Sequence, residues 1–186
     1  IRDSFEHRAQ TITTAMTARG FKVDQVYAFA LSEDLDAERT NAERLAAEMG
    51  VDNVNSTAQV AAALTARGAV LTETTTAGAP KVDKHVLAGL DDDLARQVVA
   101  AKNASKALSS YVDPLIEAAL VDGRVHCRIR SLAAKTGRQS ISLPPLQQLP
   151  SGDHRVRSCL IPDDGMDLVA ADFSQIEFRV LAALSN

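Results

Sequence analysis

One apolar stripe limits what this chain can become. From Asp93 to Leu120, the residues Leu94, Val98, Ala101, Ser105, Leu108, Val112 and Leu115 recur at helical spacing on roughly one face. A helix with one apolar side must bury it against other elements. Upstream the character is the same. Residues 1–19 show helical spacing through Phe5, Ile12 and Met16, and Gly20 breaks it. Asp24 is placed to cap a second helix over 25–49, and Gly50 stands where a C-terminal cap glycine belongs. Asn55 or Ser56 can cap a short helix that runs to Arg67. The stretch "TETTTAGAPK" at 72–81 is turn-rich and expected to be exposed.

"VDG" at 121–123 ends the long stripe, and the pattern changes at Gly123. "RVHCRIR" (124–130) alternates and predicts a strand. "LPPLQQLP" carries three prolines and excludes regular helix. "RVRSCLI" (155–161) predicts another strand, "MDLVAAD" (166–172) a short buried one, and "SQIEFRVLAALS" a helix packed on the sheet. The fold class is therefore α+β, with a helical region over 1–122 and a small sheet from 123 to 186. The chain of 186 residues is 46% hydrophobic but only 4% aromatic, with no Trp, so the core must be built mainly from Ala, Leu and Val. No apolar run approaches the ~18 residues of a membrane span. Cys127 and Cys159 have neither metal nor redox spacing, which predicts free buried thiols in a reducing compartment. The start at Ile1 and the end inside a helical pattern lead us to expect a piece of a longer polypeptide.

The formal net charge of −4 does not favour a nucleic-acid partner, but the charge is unevenly placed. Between Gly123 and Gly152 there are five cations (Arg124, Arg128, Arg130, Lys135 and Arg138) and no acid. Arg155 and Arg157 follow. A basic patch of this kind suits a phosphate backbone, and equally a solvated strand face.

The final segment carries the chemistry. In "DFSQIE", Asp172 is expected at a strand end, where a rigidly held carboxylate can bind a divalent metal. On spacing alone it can equally cap the next helix. Ser174 and Glu177 likewise form an S-x-x-E capping-box pattern.

"VAADFSQIEFRVLAALS" resembles motif A of the family A DNA polymerases, whose pattern reads D-Y-S-Q-I-E-L-R. "GRVHCRIRSLAAKTGRQSISLPPLQQLP" is similar to the same family's G-R-(L/V)-H-T…T-G-R…L-Q-N-I-P block. "SSYVDPL" (109–115) and "NVNSTAQV" (53–60) resemble its thumb segments. The resemblance implies a helical thumb over 1–122 and the start of an antiparallel palm sheet over 123–186. It implies that Asp172 and the Phe173 carbonyl bind Mg²⁺, two ions serving the complete site. Glu177 is implied as a sugar gate, and Phe173, Ser174, Gln175 and Glu177 as facing the nucleotide. Arg138 is implied at the minor groove, and Gln147 and Gln148 along the template–primer. Asn53, Asn55, Ser56, Lys106, Arg128 and Lys135 are implied on the DNA. The partners would be primer-template DNA and deoxynucleoside triphosphates, in the cytoplasm of a bacterial or phage-infected cell, with no membrane.

The chain departs from the pattern at Phe173 (usually Tyr), Gln148 (usually Asn), Cys127 (usually Thr) and Leu108 (often Lys). The loop between Pro150 and Arg155 is also shorter than in the family pattern and lacks an arginine often found there. The family's fingers helix and its H-D-E carboxylate motif do not occur in these 186 residues. The chain by itself is therefore expected to be inactive, with the missing parts on the same polypeptide or on a split partner. Two rivals follow: a non-catalytic DNA-binding module or split-gene subunit, and a single-subunit RNA polymerase, which Glu177 disfavours.

Overall fold

The computed structural model describes residues 4–131, 133–150 and 152–185. Among them, six helices begin on a side chain that accepts hydrogen bonds from the free N–H groups of the first turn, which lack partners inside the helix. Helix α1 (Phe5–Arg19) begins on Ser4, α2 (Gln25–Glu48) on Asp24, and α3 (Thr57–Ala66) on Ser56. Helix α4 (Lys84–Ala88) begins on Asp83, α5 (Asp93–Ala107) on Asp92, and α7 (His154–Arg157) on Asp153. The expected caps at Asp24 and Ser56 are made. Gly50 takes the left-handed conformation just past α2, at φ 92°. The long stripe is helical throughout but not uniform. A wide π turn over Leu108–Val112 separates α5 from α6 (Asp113–Ala119). Pro114 explains it, because its ring nitrogen has no hydrogen to give the carbonyl four residues back.

Helices α2 and α5 pack lengthwise and carry two apolar cores. At one end Ala42, Ala46, Leu64, Leu94, Val98 and Ala101 meet Val51, Val54 and Val60. At the other, Ala28, Leu31, Leu35, Leu108, Val112 and Leu115 meet Val125, Val156 and Cys159. Alanines at 42, 46, 95, 101 and 104 let the helices approach closely, which suits a chain so poor in aromatics. Both cysteines are free and buried, as expected. No helix among the described residues is long and apolar enough to cross a membrane.

Strand β1 (Phe21–Val23) was not expected. It is the centre of a three-stranded antiparallel sheet, between β2 (Arg124–Val125) and β5 (Leu160–Ile161). The predicted strand 124–130 is split. Its second half, β3 (Arg128–Arg130), pairs instead with β4 (Ser140–Ser142). The break has a cause: His126 turns toward α1, and the Cys127 carbonyl accepts from the Thr17 hydroxyl at 2.9 Å. The predicted strand 155–161 is mostly helix, because Asp153 caps α7 there and leaves only Leu160–Ile161 extended. Residues 166–172 form no strand and are exposed, Val169 by 88%. No described strand lies beside them, and an apolar run without a ladder partner cannot form a strand. The helix resting on the three-stranded sheet is α6. The expected one, α8 (Ile176–Leu184), is exposed along its length.

The C-terminal end of α1 is tied down by two cations from across the chain. Arg124 donates to the carbonyls of Arg19 and Gly20 at 2.7 and 3.3 Å, and also to Asp163 at 2.6 and 3.3 Å. His126 places Nδ1 2.8 Å from the Thr17 carbonyl and Nε2 2.9 Å from the Asp122 carboxylate. Both partners only accept, so the two contacts are made together when both ring nitrogens carry hydrogen, in the imidazolium form. Gly20, at φ 64° and ψ −176°, lies in a region open essentially to glycine alone. A Cβ there would sit 2.8 Å from both the His126 ring and the Val125 carbonyl.

Asp122 first, and then the Thr17 carbonyl, raise the His126 pKa above its ordinary 6.5, while Arg124 opposes them. A proton held more tightly in the folded state stabilises the fold fully below the unfolded value. That contribution is lost as pH rises through the raised folded value. Urea midpoints measured across neutral pH should therefore fall as pH rises through that window. His126→Gln should flatten this dependence and leave the acid limb in place.

Candidate nucleic-acid interface

The β3–β4 hairpin sorts its residues by the alternation of a strand. Ile129 pairs with Ile141, and Ile129 is buried. On the opposite face Arg128 pairs with Ser142 and Arg130 with Ser140. Two guanidinium groups and two hydroxyls therefore share one face, with both arginines exposed. The turn above the hairpin carries Lys135. It is closed by the Gly137 N–H to the Ala134 carbonyl at 2.9 Å and the Ala134 N–H to the Arg138 carbonyl at 3.1 Å. Arg138 is thereby anchored by its backbone at the end of the turn.

Its guanidinium meets Glu177 in an ion pair, linking the hairpin turn to the first turn of α8. The Glu177 carboxyl is held below its usual range, first by its own backbone N–H and then by Arg138. The capping alternatives for this segment are not used. Gln175, the residue before α8, sits in the left-handed region at φ 51°, and its side chain makes no cap. The Ser174 carbonyl instead accepts from Arg179 Nε at 2.9 Å. Asp172 and Phe173 lie just before this start, exposed.

The remaining predicted site residues are spread more widely. Gln147 and Gln148 are exposed on a short 3-10 turn, Leu146–Gln148, soon after β4. Lys106 is exposed in the last turn of α5. Asn53, Asn55 and Ser56 form the entry to α3, with the Asn55 N–H donating to Asn53 Oδ1 at 2.9 Å. Among the described residues no hydrogen bond joins these groups to the hairpin or to α8. The structure therefore brings Arg138 and Glu177 together and keeps the turn that carries Gln147 and Gln148 against β4, while Lys106, Asn53, Asn55 and Ser56 lie on other elements.

Three of the seven cations counted in the basic patch serve the fold instead. Arg124 holds α1 and Asp163. Arg155 pairs with Asp153 and Glu38. Arg157 donates to the carbonyls of Leu149 and Pro150 at 3.2 and 2.9 Å. Arg128, Arg130 and Lys135 make no ion pair among the described residues. Arg130, Ser140 and Ser142 were not singled out from the sequence. The signal that could have found them is the alternation of "RIR" and "SIS" around one buried isoleucine.

Among the described residues no cluster of three or more His, Cys, Asp or Glu could hold a metal. Magnesium does not need one, since it commonly takes one or two protein carboxylates and completes its shell with water and substrate phosphates. A lone exposed carboxylate next to a free backbone carbonyl, as at Asp172 and Phe173, fits part of such a shell.

A family model described as DNA polymerase family A matches residues 25–186. The DNA polymerase of Mycobacterium phage D29 is 35% identical over 189 residues, covering 98% of this chain and 31% of the relative. The thermostable DNA polymerase I of Thermus aquaticus is 32% identical over 193 residues, covering 97% of this chain and 23% of the relative. A solved structure, the POL domain of Pol1 from M. smegmatis in complex with DNA primer-template and dNTP, superposes with a TM-score of 0.79 at 26% identity. That match covers 95% of this chain and 33% of the other. The chain thus spans at most about a third of the length of these relatives.

The division between free and committed cations has a thermal signature. Arg128→Gln with Arg130→Gln should leave the unfolding midpoint unchanged, because neither guanidinium has a hydrogen-bond or ion-pair partner among the described residues. Arg124→Gln should lower it clearly, because it takes the guanidinium from two helix-end carbonyls and leaves Asp163 with the exposed Arg19 as its partner among the described residues. Differential scanning calorimetry of the two variants checks this.

Proposed function

The chain belongs to DNA polymerase family A, and from that premise we propose that it supplies a duplex-binding surface and the first active-site carboxylate for template-directed DNA synthesis. In this reading residues 1–122 are the thumb and 123–186 the beginning of the palm, with β1 hydrogen-bonded into the palm sheet. The observation that carries the proposal is the hairpin face. Arg128 and Arg130 stand exposed beside Ser142 and Ser140, and Arg138 closes the turn above them. Cations and hydroxyls on a ribbon grip phosphates without reading sequence, which a polymerase needs. Asn53, Asn55, Ser56 and Lys106 extend that grip along the thumb. Gln147 and Gln148 follow the template–primer.

Asp172 and the Phe173 carbonyl would hold magnesium. The metal, when bound, would neutralise charge on the phosphates of the incoming nucleotide during phosphoryl transfer. The protein groups around it have simpler tasks. Glu177 stands where a 2′-hydroxyl would meet a carboxylate, which favours deoxynucleotides. Arg138 reaches toward the minor groove, whose acceptors are similar for all base pairs, and so can check geometry without selecting sequence. Ser174 and Gln175 line the nucleotide's approach. The two-metal mechanism requires a second carboxylate site beyond these 186 residues, so the chain on its own should not extend a primer.

The proposal sets a salt dependence. Duplex DNA binding by the chain should weaken steeply with salt, because each phosphate neutralised releases counterion. Arg128→Gln with Arg130→Gln should weaken it about equally for all sequences and reduce the slope of log K against log salt by roughly 2. Fluorescence anisotropy with labelled duplexes measures both. An unchanged slope, or a loss confined to some sequences, would contradict the proposed grip.

A further inference from the structure

The ion pair between Arg138 and Glu177 joins residues 39 positions apart, and it is the contact that closes the hairpin turn onto α8 among the described residues. No acid occurs between Gly123 and Gly152, so the carboxylate that meets this turn comes from α8. We propose that Glu177 is a latch on Arg138: it holds the guanidinium at the edge of the basic face until a DNA duplex takes its place. The inference rests on the duplex-binding reading above and adds an order of events to it.

Four points support a latch that yields. Both side chains are largely exposed, Arg138 by 73% and Glu177 by 65%, so water screens the pair and it is weakly held. The guanidinium fork fits a phosphate or a base edge as well as it fits a carboxylate, so one partner can replace the other. The Arg138 backbone is fixed by the Ala134 N–H, so a released side chain swings from a fixed base at the end of the turn. Neighbouring Arg128, Arg130 and Lys135 have no ion-pair partner among the described residues, so they can attract the duplex before the latch opens.

The exchange has a consequence for Glu177. While it pairs with Arg138, its carboxylate is not free to face a nucleotide sugar. Once the duplex holds Arg138, Glu177 is released beside Asp172 and Phe173. The latch therefore raises the availability of the gate once a duplex is seated.

A double-mutant cycle on the 186-residue chain tests this, with labelled DNA duplex as the probe. Glu177→Gln should tighten duplex binding by up to about five-fold. It should also steepen the salt slope by up to about 0.9, because one more unpaired cation is free to displace counterions from the duplex. In the Arg138→Ala background the same change should give no gain. A gain that persists without Arg138 would reflect removal of a negative charge alone and would overturn the latch. So would duplex binding that is indifferent to Glu177→Gln. Failure of all four proteins to bind duplex at low salt would overturn the duplex-binding reading, and the latch with it.

Discussion

The Arg124 guanidinium is the contact on which the rest of the arrangement depends. A helix ends with carbonyls that have no partner inside it. At the end of α1 those of Arg19 and Gly20 are taken by Arg124, and that of Thr17 by a protonated His126. Two cations at the negative end of a helix dipole are favourable in their own right. Gly20 then turns the chain directly into β1, the central strand of the sheet. The other side of Arg124 holds Asp163, at the head of the loop that leads to Asp172. One side chain thus sets the N-terminal helix, the sheet and the start of the candidate site relative to one another.

Charge placement explains how an acidic chain can present a basic face. Many of its acids are consumed locally. Asp24, Asp83, Asp92 and Asp153 cap helices, and Asp122 and Asp163 hold cations that serve the fold. The acids of α2, among them Glu33, Asp34, Glu43 and Glu48, lie well away from the hairpin in sequence and on another element. The hairpin and its turn carry Arg128, Arg130, Lys135 and Arg138, and among the described residues the carboxylate that pairs with them is that of Glu177. Net charge hides this, because it sums over surfaces that never meet the same ligand.

Legibility in the sequence followed the range of each interaction. Helices α2 and α3 were readable because their caps and periodicity are local, at Asp24, Ser56 and Gly50. The π turn at Leu108–Val112 interrupts a stripe whose periodicity runs straight through it, and Pro114 is its local mark. Strand β1 was not readable, because three residues carry little pattern and their partners lie at 124–125 and 160–161. Residues 155–157 look like a strand in "RVRSCLI" until the cap at Asp153 is seen to start a helix. The run 166–172 has strand composition, but composition does not supply a neighbour to pair with. The same limit applies to the site. Arg138 and Glu177 were each picked out by motif resemblance, yet their pairing spans 39 residues and no periodicity reports it.

In the proposed arrangement the β3–β4 hairpin and the start of α8 form one duplex-facing surface. Backbone NMR of the chain titrated with a short DNA duplex addresses it directly. Amide signals should shift over residues 128–142 and 174–179, and those along the acidic residues of α2 should stay in place. Shifts concentrated on α2, or a hairpin whose signals do not move while the duplex binds, would contradict it.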